Sequence, residues 1–411
     1  MMRFLVFSVI FLSVSWVRTA SGQSPATPEY DFLLRSIGNA IRVSNSSNGL
    51  ALDLFKRVSD QYNVFIAPFS ISTVLAMTYQ GAAGRSAEEL ARVMGYSHTK
   101  DLRQSLLDGF KSARTLISQE TGQNDLIDLN MMQVDARLKI LPEMKQKLTT
   151  YFGTNVEEVN FARADTLKIL DTLVAVKTKG NIKKAFGDKE IPPNTVMVLA
   201  NIIYFKGIWE KQFDAKNTVR GTFFNEGQKA YAKEVDMMRM LDYFQYAYYP
   251  KLRLQALDLG YKGYQLRMLI LLPDDASKMG SIIDNLKVDD LTEIVLALEP
   301  QLVEIELPKF RVSSQLNMKE YLQKMSMRAP FDPNQAELPY FTGYDNLYIN
   351  EFWHQAVIDV NEQGTTAAAT TVAAHATRAK FVKFQANEPF IFLIRDSRTN
   401  LIIFAGKVSR L

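Results

Sequence analysis

Between Glu362 and Phe381 the chain runs Glu-Gln-Gly-Thr-Thr-Ala-Ala-Ala-Thr-Thr-Val-Ala-Ala-His-Ala-Thr-Arg-Ala-Lys-Phe, with no proline and no charge from Thr365 to Ala374. Small side chains without an apolar anchor cannot bury enough surface to hold a loop down, so the segment is expected to be exposed. Yet Thr, Val and Ala without proline also suit the middle of a sheet. The flanks limit the choice. Ala356-Val357-Ile358-Asp359-Val360 reads as a strand before it, and Pro389 to Ile394 and Leu401 to Gly406 read as two strands after it, joined by a turn at Asp396 to Asn400. An alanine–threonine linker would separate domains. This segment instead interrupts one sheet system about 30 residues from the chain end, too few for another domain. Any fold for this chain must therefore tolerate a loop that could itself become a strand.

From Asn48 to Gln119 apolar residues such as Leu50, Leu54, Phe55, Ile71, Val74 and Leu75 recur largely three or four apart, which predicts helices. Gly81-Ala82-Ala83-Gly84 stops one helix, and Ser86 is expected to cap the next, with Glu89 at the capping-box position. From Thr195 onward β-rich runs take over at Val196–Phe205, Leu252–Leu259, Leu266–Leu272 and Val303–Leu307, with helical stretches near Met279–Leu298 and Leu316–Lys324. There is no internal repeat and no regular βαβ alternation, so the expected class is α+β. At 411 residues and 47% apolar content the chain can build a substantial core, and nothing linker-like forces a division.

Residues 1–22 combine Arg3, an apolar stretch from Phe4 to Val17 and the small residues Ala20-Ser21-Gly22. That is the pattern of a secretory signal cleaved before Gln23, leaving 23–411 as one domain. The stretch is short for a membrane anchor, so the product is expected to be secreted and not membrane-bound. The sequence has no cysteine, which removes disulfides, thiol catalysis and cysteine zinc sites together. Asn45-Ser46-Ser47 is a glycosylation sequon in a polar stretch expected to be exposed. A net charge of +4 is far from a nucleic-acid footprint.

Catalytic groups are scarce. There is no G-x-S-x-G, no G-x-x-x-x-G-K and no H-E-x-x-H, and the only histidines are His98, His354 and His375. An enzyme is not expected, nor a metal or cofactor. His354 leads into a strand and reads as a buried structural histidine. Glu362 and Lys309, taken singly, read as ordinary charges, and Trp209 as a core aromatic.

Five ordered motifs resemble the serpins, the serine protease inhibitors: Val64 to Ser72, Leu199 to Trp209, Leu307-Pro308-Lys309-Phe310, the hinge pattern Glu362 to Ala369, and Phe384-Gln385-Ala386-Asn387-Glu388-Pro389-Phe390. The resemblance implies the serpin fold, with three β-sheets, about nine helices and an exposed reactive centre loop at about 362–383. It implies a shutter in which His354 bonds Asn201, with Ser70 beside them, and a breach where Lys309 pairs with Glu362 near Trp209. It also implies a hinge at Glu362, Gly364, Thr365, Ala367, Ala368 and Ala369. Thr365, Ala367, Ala369 and Thr371 would share one face of an inserted strand, all small enough to pass under the helix that covers the sheet.

The function implied is suicide inhibition: a protease cuts the loop, forms a covalent acyl complex, and is carried off as the loop enters the sheet. The resemblance implies a cleaved bond fourteen residues after the hinge glycine and eleven before the proline of the last motif, and both counts from Gly364 and Pro389 land on Arg378-Ala379. Lys380-Phe381 competes, because it resembles the Lys-Phe bond of insect serpins that restrain melanisation and Toll signalling. Either bond predicts a trypsin-like serine protease as partner, a clip-domain enzyme of innate immunity in haemolymph if the insect likeness holds. The alternative is a non-inhibitory serpin that binds or carries. Hinge residues facing the sheet would then be bulky, charged or proline, and none is. A monomer is expected. Lys100, Arg103, Lys111 and Arg114 raise a glycosaminoglycan cofactor, but Asp101, Asp108 and Glu120 intervene and an ordinary solvated helix face is the preferred reading.

Overall fold

Ten α-helices and fourteen strands carry the chain in the computed structural model, which describes residues 28–97, 99–118, 124–187, 189–263, 265–344, 347–362 and 380–411. Helices fill the first part: α1 (Pro28–Val58), α2 (Pro68–Gly81), α3 (Gly84–Val93) and α4 (Leu102–Ser118) cover the stretch where the spacing predicts them, and α5 (Pro142–Phe152) and α6 (Thr166–Lys177) follow beyond it. The later ones are α7 (Met279–Asn285), α8 (Val288–Ala297), α9 (Met318–Lys324) and the single turn α10 (Pro339–Thr342). Strands β1 (Val64–Ile66), β2 (Asp125–Asp135) and β3 (Val156–Val159) lie among the early helices. After them come β4 (Met197–Lys206), β5 (Val219–Phe224), β6 (Ala232–Tyr249), β7 (Leu254–Gly260), β8 (Leu266–Pro273) and β9 (Glu299–Pro308). The set closes with β10 (Phe310–Asn317), β11 (Glu351–Val360), β12 (Val382–Gln385), β13 (Phe390–Asp396) and β14 (Ile402–Val408).

One sheet has five strands in the order β10-β11-β4-β2-β3. The remaining nine strands are hydrogen-bonded together, in the order β1-β14-β13-β8-β7-β6-β9-β12 with β5 on β6. The second and third sheets of the expected three share β6, whose first part pairs with β5 and β9 and whose end pairs with β7. The α+β expectation holds.

Two apolar clusters sandwich the five-stranded sheet, and strand parity assigns each residue to one of them. On β4, Met197, Leu199, Ile203 and Phe205 face the main core, while Val198, Ala200, Ile202 and Tyr204 face a smaller cluster with Leu170 and Val174 of α6. Burial on both faces explains why β4 reads as a continuous apolar run and not an alternating one. Helix α2 is buried along its whole length, which fits a helix apolar all round, and Pro68 starts it where no N–H is needed.

Several boundaries differ from the sequence reading. Ser86 does not cap α3: Ala83 holds the cap position, and Ser86 lies inside the helix with its hydroxyl accepting Glu337 N–H. The Glu337 carboxylate accepts Arg85 N–H instead, a cap supplied from 252 positions away. Glu89 leaves its expected capping role to accept the N–H groups of Arg328 and Ala329. The stretch Met279–Leu298 is two helices, broken at Leu286 and Lys287. The polar stretch around Asn45, expected to be exposed, lies in α1: Asn45 is exposed, while Ser44, Ser47 and Asn48 turn inward.

Candidate functional site

Three strands of the five-stranded sheet present polar residues on the face toward α2, in one row. Register places Asn130 of β2 opposite Asn201 of β4, and Asn201 opposite His354 of β11. All three interrupt apolar series on that face, so they meet because β-strand parity and register bring them there. His354 Nδ1 lies 2.6 Å from Asn201 Oδ1. An amide oxygen can only accept, so the proton sits on Nδ1, and Nε2 accepts Ala67 N–H at 3.3 Å. Burial holds the imidazole neutral and lowers its pKa from 6.5 to about 3. Asn201 Nδ2 uses both hydrogens, one on Ser70 Oγ of α2 and one on Asn130 Oδ1 at 2.8 Å. Ser70, Asn201 and His354 are therefore brought together, and every side-chain polar atom of Asn201 is used.

Two further members were not expected. Ser70 Oγ donates to Asp128 Oδ1 of β2, and Asn130 Nδ2 reaches the same oxygen at 3.3 Å. Asp128 lines a cavity of about 300 Å³ between β2, α4 and α5, with Arg114, Glu157, Lys177, Thr154 and Asn155 on its walls. Closely surrounded by protein, the carboxylate meets water through this cavity, and desolvation raises its pKa despite bonds from Ser70, Asn130 and Asn201 and the Arg114 charge. The only sequence sign of Asp128 is the alternation Ile127-Asp128-Leu129-Asn130, which reads as a strand edge unless the register is known.

At the other end of β11 the chain passes from Val360 to Asn361 and Glu362, the last residue before the region left undescribed. Glu362 pairs with Lys309 Nζ at 2.9 Å and accepts Thr218 Oγ1 at 2.8 Å. Burial raises its pKa, but its own backbone N–H, Lys309 and Thr218 outweigh that, so the net direction is down. Lys309 is the single residue joining β9 to β10, which places it at the seam between sheets. Trp209 Nε1 donates to Asn361 O at 2.9 Å, and its ring stacks on Tyr261 at 4.5 Å between centroids. Gly207 is required there, since a Cβ would lie 2.2 Å from the Tyr261 ring. Lys309, Glu362 and Trp209 thus meet as expected. Thr218 is an addition with no sequence signal, because it comes from a short turn before β5.

Strands β4 and β11 pair in parallel, Glu351↔Val198 through Ile358↔Phe205, while every other neighbour of either strand is antiparallel. Downstream, Lys380 and Phe381 are exposed, and β12 follows at once, parallel to β9 with Phe384 fully buried. Gly364, Thr365, Ala367, Ala368, Ala369, Arg378 and Ala379 lie outside the described residues, as do 1–27. The basic residues of α4 are not the solvated face expected. Arg103 donates to the carbonyls of Tyr79, Gln80 and Ala82, and the Arg114 guanidinium lies over Gly153, so of the basic residues within the helix only Lys111 is exposed, with Lys100 exposed just before it. Among the described residues no helix is long and apolar enough to cross a membrane, and no cluster of metal-binding side chains occurs.

The model of the family Serpin (serine protease inhibitor) matches residues 45–411. Intracellular coagulation inhibitor 1 of Tachypleus tridentatus is 32% identical, covering 92% of this chain and 91% of that protein. The leukocyte elastase inhibitor of Xenopus tropicalis is 31% identical, over 89% of this chain and 99% of that one. Among solved structures, mouse protein-Z dependent protease inhibitor superposes with a TM-score of 0.81 at 23% identity, covering 92% of this chain and 99% of its own.

Proposed function

Because this chain belongs to the serpins, a family of serine protease inhibitors and not of enzymes, we propose that it traps a trypsin-like protease by inserting its own loop between β4 and β11. The parallel pairing of those two strands carries this reading. A chain that leaves β11 at Glu362 and turns back must run antiparallel to β11, and therefore antiparallel to β4 as well. Insertion replaces one parallel ladder with two antiparallel ones, which are somewhat more stable per residue, and adds burial besides. The loop held outside leaves the native state short of its most stable arrangement and protected by a barrier.

The protease serine attacks the carbonyl carbon of Arg378 or Lys380. An ester forms, the amine of Ala379 or Phe381 leaves, and the loop is severed from its β12 anchor. Thr365, Ala367, Ala369 and Thr371 pass under α6 while the ester is intact. The basic residue before either bond suits an acidic specificity pocket. The exposure of Lys380 and Phe381 beside β12 supports the second bond. The likeness of that bond to those of insect inhibitors favours a clip-domain protease of the melanisation or Toll cascades. Residues 1–22 direct export, Asn45 is a surface position that could carry glycan, and the working form is a monomer.

Incubating the mature protein with trypsin tests this. A band stable to boiling at the summed mass, with a released peptide beginning at Ala379 or Phe381, is the expected result. Cleavage without that band would make the protein a substrate and favour a binding or carrier role. Thr365→Arg should turn inhibitor into substrate, and an unchanged stoichiometry would sink the insertion mechanism.

A further inference from the structure

Trp209 also walls a second cavity, of about 180 Å³, where the segment after β4 crosses the end of β7, the start of β8 and the later part of β6. The row of Asn130, Asn201 and His354 does not line it. Two groups of opposite charge meet there over Gly260, the last residue of β7. Glu210 is fixed by its own N–H, which donates to Gly260 O at 2.9 Å, and by the bridge between Trp209 and Tyr261 beside it. A Cβ at position 260 would lie 2.3 Å from Glu210 Oε2 and 3.1 Å from Arg267 Nη1. Gly260 has no left-handed backbone, so what its missing side chain provides is space. The same distances put the carboxylate oxygen and the guanidinium nitrogen within about 5.4 Å of each other, yet the two do not pair.

Arg267 is held back by Asp258. Its Nε donates to Asp258 Oδ2 at 2.6 Å and its Nη2 to Asp258 O at 3.3 Å, which leaves Nη1 for the cavity. The buried Asp258 takes Arg395 Nη2 on the same oxygen at 2.8 Å, while its Oδ1 has no partner. One carboxylate thus faces two guanidinium groups, and one positive charge stays uncompensated. Opposite it, the exposed Glu210 carboxylate has no hydrogen bond or ion pair among the described residues. Lys211, the remaining charge on the wall, is taken by Asp242 at 3.0 Å and by Tyr243 O at 2.8 Å. The cleft therefore carries one unmatched charge of each sign beside the buried rings of Trp209, Phe213 and Phe244.

We propose that this cleft binds a free α-amino acid with an apolar side chain, its ammonium on Glu210, its carboxylate on Arg267 and its side chain against the aromatic wall. In such a molecule the ammonium nitrogen and a carboxylate oxygen lie about 3 Å apart. With a charge-assisted hydrogen bond of about 2.8 Å at each end, that span fits the gap between Glu210 Oε2 and Arg267 Nη1. A cation or an anion alone would satisfy one of the two and leave the other. The cavity is smaller than the ~300–1,000 Å³ of pockets for drug-sized ligands, which sets a small occupant. The site stands whether or not the loop enters the sheet.

The test is titration of the intact mature protein with L-phenylalanine and with L-leucine, followed by calorimetry and by tryptophan emission. Once residues 1–22 are removed only Trp209 and Trp353 remain, and Trp353 belongs to the smaller apolar cluster and not to this cavity. Saturable binding of at least one amino acid in the millimolar range or tighter is expected, with a change in emission. Phenethylamine and 3-phenylpropionate keep the ring and one charge each, and should bind at least about tenfold more weakly than L-phenylalanine. Glu210→Gln, which keeps the shape and removes the charge, should bring L-phenylalanine down to the affinity of 3-phenylpropionate. Gly260→Ala, whose Cβ fills the niche, should abolish binding. No saturable binding of either amino acid up to about 10 mM overturns the proposal. So does a single-charge analogue that binds as well as L-phenylalanine, or a Glu210→Gln protein that binds as the wild type does. Glu210 is exposed and unpaired, so that variant keeps the fold, and it decides the matter if Gly260→Ala does not fold.

Discussion

His354 carries the clearest pH signature at the scale of single residues. Its pKa of about 3 lies below the ordinary 6.5, so between those values the unfolded chain holds a proton that the native one refuses. Its contribution to stability is complete above the ordinary value and is lost as pH falls through the window, at up to about 1.4 kcal/mol per unit. His354→Gln should flatten the acid limb of a stability–pH curve obtained by denaturant titration, and an unchanged limb would place the acid sensitivity in other groups. Glu362 behaves as a lowered carboxylate. Its contribution is present above 4.5 and fades below. Lys309 is about a third exposed, so Lys309→Ala should cost about 1 kcal/mol or less, and less still at high salt. An effect above about 3 kcal/mol would mean that the pair supports more than the hinge. Asn201, His354, Lys309 and Glu362 were legible because each lies in a short motif whose neighbours identify it. Asp128 and Thr218 were not, because each matters through a partner far along the chain, Ser70 and Glu362 respectively.

Among the elements, β12 anchors the chain downstream of the proposed reactive loop. It holds four residues on the edge of the larger sheet through Val382↔Val303 to Gln385↔Glu306, with Phe384 buried beneath. An intact loop can enter the five-stranded sheet only if its downstream end supplies slack, and peeling β12 would supply it. Phe384→Ala should cost about 3–5 kcal/mol and speed spontaneous conversion to a more heat-stable form during storage at 37 °C. A variant with normal shelf life would locate the restraint upstream at Glu362. The same scale explains where the sequence reading of elements failed. β2 was not read as a strand, because the alternation of Ile127-Asp128-Leu129-Asn130 breaks at Met131-Met132, where the inward face turns from Asp128 and Asn130 to Met132 and Val134. The start of α3 was misplaced because its cap comes from Glu337, which no local pattern can reveal.

For the whole molecule, the intact protein should be less stable than the same protein cut in its loop. Cleavage between Arg378 and Phe381, followed by circular dichroism, should raise the melting temperature by many degrees, and equal curves would mean that no strand is gained. The amino-acid sequence by itself determined the α+β class, the strands flanking the loop and the family, since these depend on local periodicity and on short runs of residue types. The tertiary structure alone decided that β4 and β11 run parallel, that Asn130, Asn201 and His354 align in one row, that Arg103 and Arg114 turn inward, and that Asp128 stands beneath Ser70. Those facts depend on register and on contacts between residues tens to hundreds of positions apart, and a one-residue change of register would move each polar side chain to the opposite face of the sheet.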